Sequence, residues 1–341
     1  GRLVLLDQVT AGKNNGIKRH PGAQVLWGVA VANICDRLPR FARFEAWSAR
    51  AEKWVTADVP RAVAETLLAR PSWSTMRQLE GFVEAPIVLA DGSVLDEPGY
   101  DSRSGLFQLC YRLSGYSAPD TTRGAAEDAR DRLLDAFYDL PLVAAEDRAA
   151  AITAILTALL RRILPAAPMI GVTAPTPGTG KSLLVDLVSI IATGRRAAVL
   201  TFPKDEAEAE KRLAGAMMAG DLILSLDNIE RPIFGDLLCQ LVTQPAVKIR
   251  ILGAHTVVSV RTATALFATG NNLDVRGDLR RRVMLIRLDA GTERPELRHF
   301  ELPCVVHPAG RDHPEGDVGG VHPVVADGRL GNRGSFRGAL I

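Results

Sequence analysis

The rhythm of apolar and polar positions changes along the chain, and it is most regular between Thr121 and Phe300. Apolar residues recur at three- and four-residue spacing over 125–140 and 146–164, which predicts two amphipathic helices. Leu133, Leu134, Phe137 and Leu140 form the first stripe; Ile152, Ile155, Leu156, Leu159 and Leu160 form the second. Beyond them, short apolar runs alternate with helical segments. Strands are predicted over 169–173, 198–201 and 222–226, and helices over 182–192, 205–218 and 233–242. Alternation of this kind builds a parallel sheet covered by helices. Two further buried strands follow, Ala265–Gly270 and Val283–Leu288.

Either side of this stretch the pattern weakens. Residues 1–44 carry no periodicity that assigns an element. Residues 45–120 read as a small mixed α+β module. It has a helix over 60–69, a hairpin turning at Asp91-Gly92, a turn at Pro98–Asp101 and a strand over 105–111. Residues 301–341 lose all apolar periodicity and are rich in Gly, with His-Pro pairs at 307, 313 and 322. That tail is expected to be disordered. A metal-binding tract and a product of a shifted reading frame are the rival readings. The expected organisation is therefore an unassigned segment, an accessory module, an α/β core over 121–300, and a tail.

Composition narrows the class. The chain is 47% hydrophobic and 23% charged, as globular proteins are, with a formal net charge of only +2. No global positive field announces a nucleic-acid partner, so any such surface must be local. Cys35, Cys110, Cys239 and Cys304 are far apart, which argues against a disulfide framework or zinc site and for a reducing cytoplasm. No stretch reaches the roughly 18 apolar residues of a membrane helix. Position 1 is Gly rather than Met, so a fragment is expected.

The sharpest chemical signal is Pro177-Gly178-Thr179-Gly180-Lys181-Ser182, set between the strand Met169–Thr173 and a helix. Strand, glycine loop and helix form the context that gives a phosphate-binding match its meaning. Gly178 and Gly180 let backbone N–H groups wrap an anion, and the helix directs its positive end at it. Lys181 supplies a charge for the β- and γ-phosphates of ATP, and Ser182 a hydroxyl for Mg²⁺. The full pattern wants Gly at 175, where this chain has Pro175.

Three further segments extend the site. The apolar run Leu222–Leu226 ends in Asp227, the expected partner of Ser182 on Mg²⁺. Asn228 follows, and Glu230 is either a base or a solvated loop acid. The strand Ala265–Gly270 ends in Asn271-Asn272, either of which is suited to orient water beside a γ-phosphate. Arg276, Arg280, Arg281 and Arg282 come next, with Arg281 and Arg282 the candidates for a finger reaching a neighbouring subunit's nucleotide. Between the acid and the asparagines, Val247, Ile249 and Ile251 alternate with Lys248 and Arg250, then turn near His255. This predicts a hairpin whose basic face, Lys248, Arg250 and His255, either touches a DNA backbone or is simply solvated.

Taken in order, Pro-Thr-Pro-Gly-Thr-Gly-Lys-Ser, Leu-Ser-Leu-Asp-Asn, Ala-Thr-Gly-Asn-Asn-Leu and Gly-Asp-Leu-Arg-Arg-Arg-Val resemble the helicase-like ATPase region of phage and plasmid primase-helicase proteins, related to superfamily 3 and AAA+ helicases. The segment Ala-Asp-Gly-Ser-Val-Leu-Asp-Glu-Pro-Gly-Tyr-Asp also resembles what precedes the ATPase there. The resemblance spans about Arg43 to Phe300. It implies a P-loop α/β core, a homo-oligomeric ring, often hexameric, and ATP-driven movement on single-stranded or forked DNA with the 247–261 hairpin facing the pore. No primase-type acid cluster is visible in the N-terminal part. The competing functions are an ATPase loader or switch that does not unwind, an inactive nucleotide- or DNA-binding remnant, and, distantly, a small-molecule kinase.

Overall fold

The computed structural model describes residues 3–8, 13–14, 17–19, 23–70, 76–109, 120–203, 205–250 and 257–298. The predicted tail, and with it the three His-Pro pairs, lies outside the described residues.

Helices α1 (Arg123–Asp135) and α2 (Ala145–Leu160) lead into β1 (Met169–Ala174) and α3 (Lys181–Thr193). Then come β2 (Ala198–Thr201), α4 (Glu206–Ala219), β3 (Ile223–Asp227) and α5 (Asp236–Thr243). The hairpin strands β4 (Ala246–Arg250) and β5 (Val257–Arg261) precede β6 (Ala265–Asn271) and β7 (Val283–Arg287). Five of these strands lie side by side in the order β7, β1, β6, β3, β2, all parallel. The predicted parallel sheet is therefore present.

Alternation of side chains sorts the core onto the two faces of the sheet. Ile170, Val172 and Phe267 pack with Ile155, Leu184 and Val188 from α2 and α3. Leu224, Leu226 and Ala268 pack on the other face with Leu213, Met217, Leu238 and Leu241 from α4 and α5. One stripe differs from expectation. Leu156 is exposed, while Ala150, Ala151 and Ala154 are buried beside Ile155. Alanines let α2 approach its neighbours closely, so the smaller side chains, not the largest apolar ones, define its inner face.

The unassigned N-terminal segment contributes to this sheet. Ile17–Lys18 pairs antiparallel with β2, and Lys13–Asn14 pairs with Ile17–Lys18 in turn. Arg19 follows and forms a buried, two-pronged ion pair with Asp221, just before β3. Burial pushes the Asp221 carboxyl up, and Arg19 opposes that shift. Strand Val4–Gln8 pairs with Gln24–Gly28 alongside. The edge strands are too short for a period-2 signal to stand out.

Further along, Glu45–Ser48 and Lys53–Thr56 form a separate hairpin. The turn predicted at Asp91-Gly92 joins Ile87–Val88 to Val94–Leu95, with the Asp91 carboxylate accepting from Ser93 N–H at 2.9 Å. Gly81–Val83, Leu106–Gln108 and Gly99–Asp101 make a three-stranded sheet. Among the described residues no helix is long and apolar enough to cross a membrane.

Candidate nucleotide site

The connection from β1 to α3 is residues 175–180. Gly178 (φ +74°) and Gly180 (φ +107°) both adopt left-handed backbone, which a side chain at either position would strain. Thr179 between them is buried, and its hydroxyl donates to the Thr176 carbonyl at 2.7 Å. Pro175, where the full motif has Gly, is exposed at the loop's start and leaves the turn at Gly178–Gly180 intact. Connections leave the adjacent strands β1 and β6 in opposite directions along the sheet, towards β2 and β7. Open α/β sheets form their ligand crevices at such a reversal, beyond the carboxyl ends of the strands.

Four of the predicted residues meet there. Lys181 Nζ donates to the Thr176 carbonyl at 3.1 Å and to Asn271 Oδ1 at 2.6 Å. Ser182 Oγ donates to Asp227 Oδ1 at 3.0 Å. Burial lowers the Lys181 pKa, while the Asp227 carboxylate partly restores it. The two asparagines separate: Asn271 reaches Lys181, whereas Asn272 sits in left-handed backbone (φ +49°) and donates its N–H to the Ala174 carbonyl. Glu230 is exposed and accepts from Asn228 Nδ2 at 3.2 Å.

Two residues in this arrangement were given no role by the sequence, Thr269 although it lies within Ala-Thr-Gly-Asn-Asn-Leu and Arg298 outside every motif. Thr269, buried in β6, donates to Asp227 Oδ1 at 2.6 Å and accepts from Asn228 N–H at 3.1 Å. A lone hydroxyl within the apolar run Ala265–Gly270 is the signal the sequence offers for it. Arg298 spans the loop from outside, donating to the carbonyls of Thr179 at 3.0 Å and Pro295 at 3.1 Å. The short turn Pro295–Leu297 also seats Glu296 against Gly178, where a Cβ would lie 3.0 Å from its carboxylate. Sequence periodicity carries no signal for that contact.

The arginines divide. Arg281 and Arg282, the finger candidates, both pair with Asp278, and Arg276 pairs with Asp274 at 2.8 Å. Arg281 is largely exposed and Arg282 mostly covered. Arg280 is exposed and has no ion pair among the described residues.

The predicted basic hairpin forms as β4 and β5, with Val247 and Ile249 buried and Lys248 exposed. Arg250 ends β4, and His255 and Ile251 lie outside the described residues. Arg261, exposed and directly across from Ala246, joins the face that carries Lys248 and Ser259. The hairpin's root, where Thr262 N–H donates to the Pro245 carbonyl at 3.0 Å, precedes the first residue of β6. Asn271 is the last residue of that strand, so the hairpin root and the Lys181–Asn271 contact lie at opposite ends of β6.

Ser182 and Asp227 offer hard oxygen donors close together, which suits Mg²⁺: that ion takes one or two protein oxygens and completes its shell with water and phosphate. Among the described residues no group of three or more His, Cys, Asp or Glu forms a dedicated cage.

Neither a family model nor a curated protein matches the chain. Solved structures similar to it include the apo A form of the NrS-1 C-terminal region, at 13% identity and TM-score 0.40, covering 79% of this chain and 63% of that one. SCCmec type IV Cch, described as an active helicase, is 13% identical with TM-score 0.36, covering 84% and 55%. JCV helicase with a bound thiazolopyridine acetamide is 14% identical with TM-score 0.30, covering 50% and 53%. The chain spans less than two thirds of the length of each.

Proposed function

We propose that the chain is an ATP-hydrolysing motor of the P-loop class that acts on single-stranded or forked DNA as a homo-oligomeric ring. The observation that carries this reading is the meeting of Lys181, Ser182, Asp227 and Asn271 beyond the carboxyl ends of three adjacent parallel strands. Residues 177–182 hold the nucleotide phosphates, with Lys181 charge-paired to the β/γ oxygens. Ser182 and Asp227 would hold Mg²⁺, which neutralises phosphate charge when bound. Thr269 fixes the Asp227 carboxylate so that one oxygen faces Ser182. Asn271 orients both the lysine and the attacking water. An arginine of the Arg280–Arg282 turn serves the neighbouring subunit's nucleotide. Arg281 and Arg282 would first have to leave Asp278, whereas Arg280 carries no such pair among the described residues.

DNA runs along Lys248, Arg250, His255 and Arg261, which contact phosphates without reading bases. The nucleotide's state reaches this hairpin along β6, a rigid central strand held at one end by Asn271 and at the other by the hairpin root.

Steady-state ATP turnover with and without single-stranded DNA, together with strand displacement on a fork, tests the reading. DNA-stimulated turnover with displacement supports a helicase. Stimulated turnover without displacement makes the chain a loader or switch. Absence of turnover with ATP, Mg²⁺ and DNA all present would sink the motor reading and leave a binding remnant.

A further inference from the structure

We infer that the hairpin Glu45–Ser48/Lys53–Thr56 is a second nucleic-acid contact, a stacking platform for unpaired bases built on Trp47 and Trp54. The two tryptophans are directly paired across the strands, with ring centroids 5.8 Å apart and planes at 71°. An edge-to-face pair of this kind leaves one ring face uncovered by the other. Both rings are open, Trp47 at 55% and Trp54 at 62% exposure. Phe41, in the connection entering the hairpin, is 83% exposed. Large aromatics normally bury about 150–250 Å² each, so two adjacent open tryptophans on one strand pair present a surface suited to a flat ligand.

Charge selects the occupant. Residues 36–54 carry five basic side chains, Arg37, Arg40, Arg43, Arg50 and Lys53, against three acids, Asp36, Glu45 and Glu52, and Arg40 pairs with Asp36 at 3.5 Å. Arg43 pairs with Glu45 at 2.9 Å, whereas Arg50 in the turn and Lys53 beside it have no ion pair among the described residues. Open aromatic faces flanked by uncommitted cations are what a nucleic-acid single strand uses: bases stack on the rings and phosphates sit on the cations. A duplex hides its base faces, so the occupant is unpaired. Neither contact reads the sugar, so DNA and RNA strands bind alike.

The test uses the full chain without nucleotide, so its failure leaves the ATPase reading standing. Oligodeoxythymidylate is titrated while tryptophan emission is followed, since two of the four tryptophans are in the platform. Emission is expected to be quenched. Trp47→Ala/Trp54→Ala should weaken binding at least about tenfold, with the thermal midpoint and DNA-free ATP turnover unchanged. Trp47→Phe/Trp54→Phe should retain binding, while Trp47→Leu/Trp54→Leu, equally apolar, should abolish it; this comparison decides the matter if the alanine pair melts early. Arg50→Ala/Lys53→Ala should flatten the salt dependence, by about 0.7 in the log–log slope for each phosphate no longer neutralised. An oligouridylate of equal length should compete. Parent-like binding by both the alanine and the leucine pairs overturns the inference. So does a change confined to self-association in sedimentation, which would make the hairpin a protein-docking face.

Discussion

Lys181 and Asn271 lie 90 residues apart in sequence and meet across a 2.6 Å hydrogen bond. An amide oxygen positions the ammonium without cancelling its charge, as the proposed phosphate contact requires. Lys181→Ala is expected to lower ATP turnover by more than about 100-fold, the scale of removing one charge-stabilising group from an active site. The lysine is only partly buried, so the thermal midpoint should hardly move. Parent-level turnover in this variant would remove the phosphate-site assignment.

Asp227 accepts from Ser182 and from Thr269 through the same oxygen. Asparagine keeps an acceptor there but removes the charge. Asp227→Asn should therefore retain nucleotide binding and the parent melting temperature, while Mg²⁺-dependent turnover falls at least about tenfold. Asp227→Ala should in addition melt earlier, since it strands a buried hydroxyl. If asparagine costs as much stability as alanine, the residue is structural.

Arg161 is a buried cation held by three backbone carbonyls, those of Thr264 at 3.2 Å, Leu164 at 2.9 Å and Leu241 at 3.4 Å. Burial, aided by Arg261, pushes its pKa down to about 10, so it remains charged at neutral pH. It joins the ends of α2 and α5 to the start of β6, next to the hairpin root. Arg161→Ala should destabilise the fold by about 3–5 kcal/mol through orphaned carbonyls and a cavity. Lysine, lacking the planar fork, should restore only part of this in a urea titration. A cost below about 1 kcal/mol would mean that solvent satisfies these carbonyls.

Lys248 and Arg261 share the exposed face of the β4–β5 hairpin. Lys248→Ala/Arg261→Ala should abolish most DNA stimulation of turnover and leave the DNA-free rate intact. Removing the exposed Arg261–Glu80 pair, at 3.5 Å, should cost less than about 1 kcal/mol. ATPase rate against single-stranded DNA concentration at two salt levels reads this out. Full stimulation in the double variant would reduce the hairpin to structure.

Glu84 gives a pH signature. Burial raises its pKa, Arg195 opposes that shift, and Oε1 has no hydrogen-bond partner among the described residues. A raised folded-state pKa means its stabilising contribution is complete below the unfolded value, near 4.5, and is lost as pH rises through the folded value. Glu84→Gln, which mimics the protonated form, should flatten the loss of thermal stability that sets in as pH rises above about 4.5. Identical pH–melting curves for parent and variant would contradict it.

Periodicity alone specified the parallel sheet and its helices, because strands buried on both faces read as apolar runs and helices carry stripes. The glycine loop and the acid at the end of β3 were equally local, since each needs only a few adjacent residues. Contacts that join distant segments left no such trace. Residues 13–18 extend the sheet through backbone pairing, which almost any side chain permits. Asn271 was distinguished from Asn272 only by the direction its side chain takes at the end of β6. Arg261 joined the basic face through strand register. Thr269 and Arg298 make their contacts because the fold carries them to Asp227 and to the glycine loop. Local pattern determined the central strands and helices, the glycine loop and the acid at the end of β3, whereas long-range packing decided the N-terminal edge strands and which side chains surround Asp227 and Lys181.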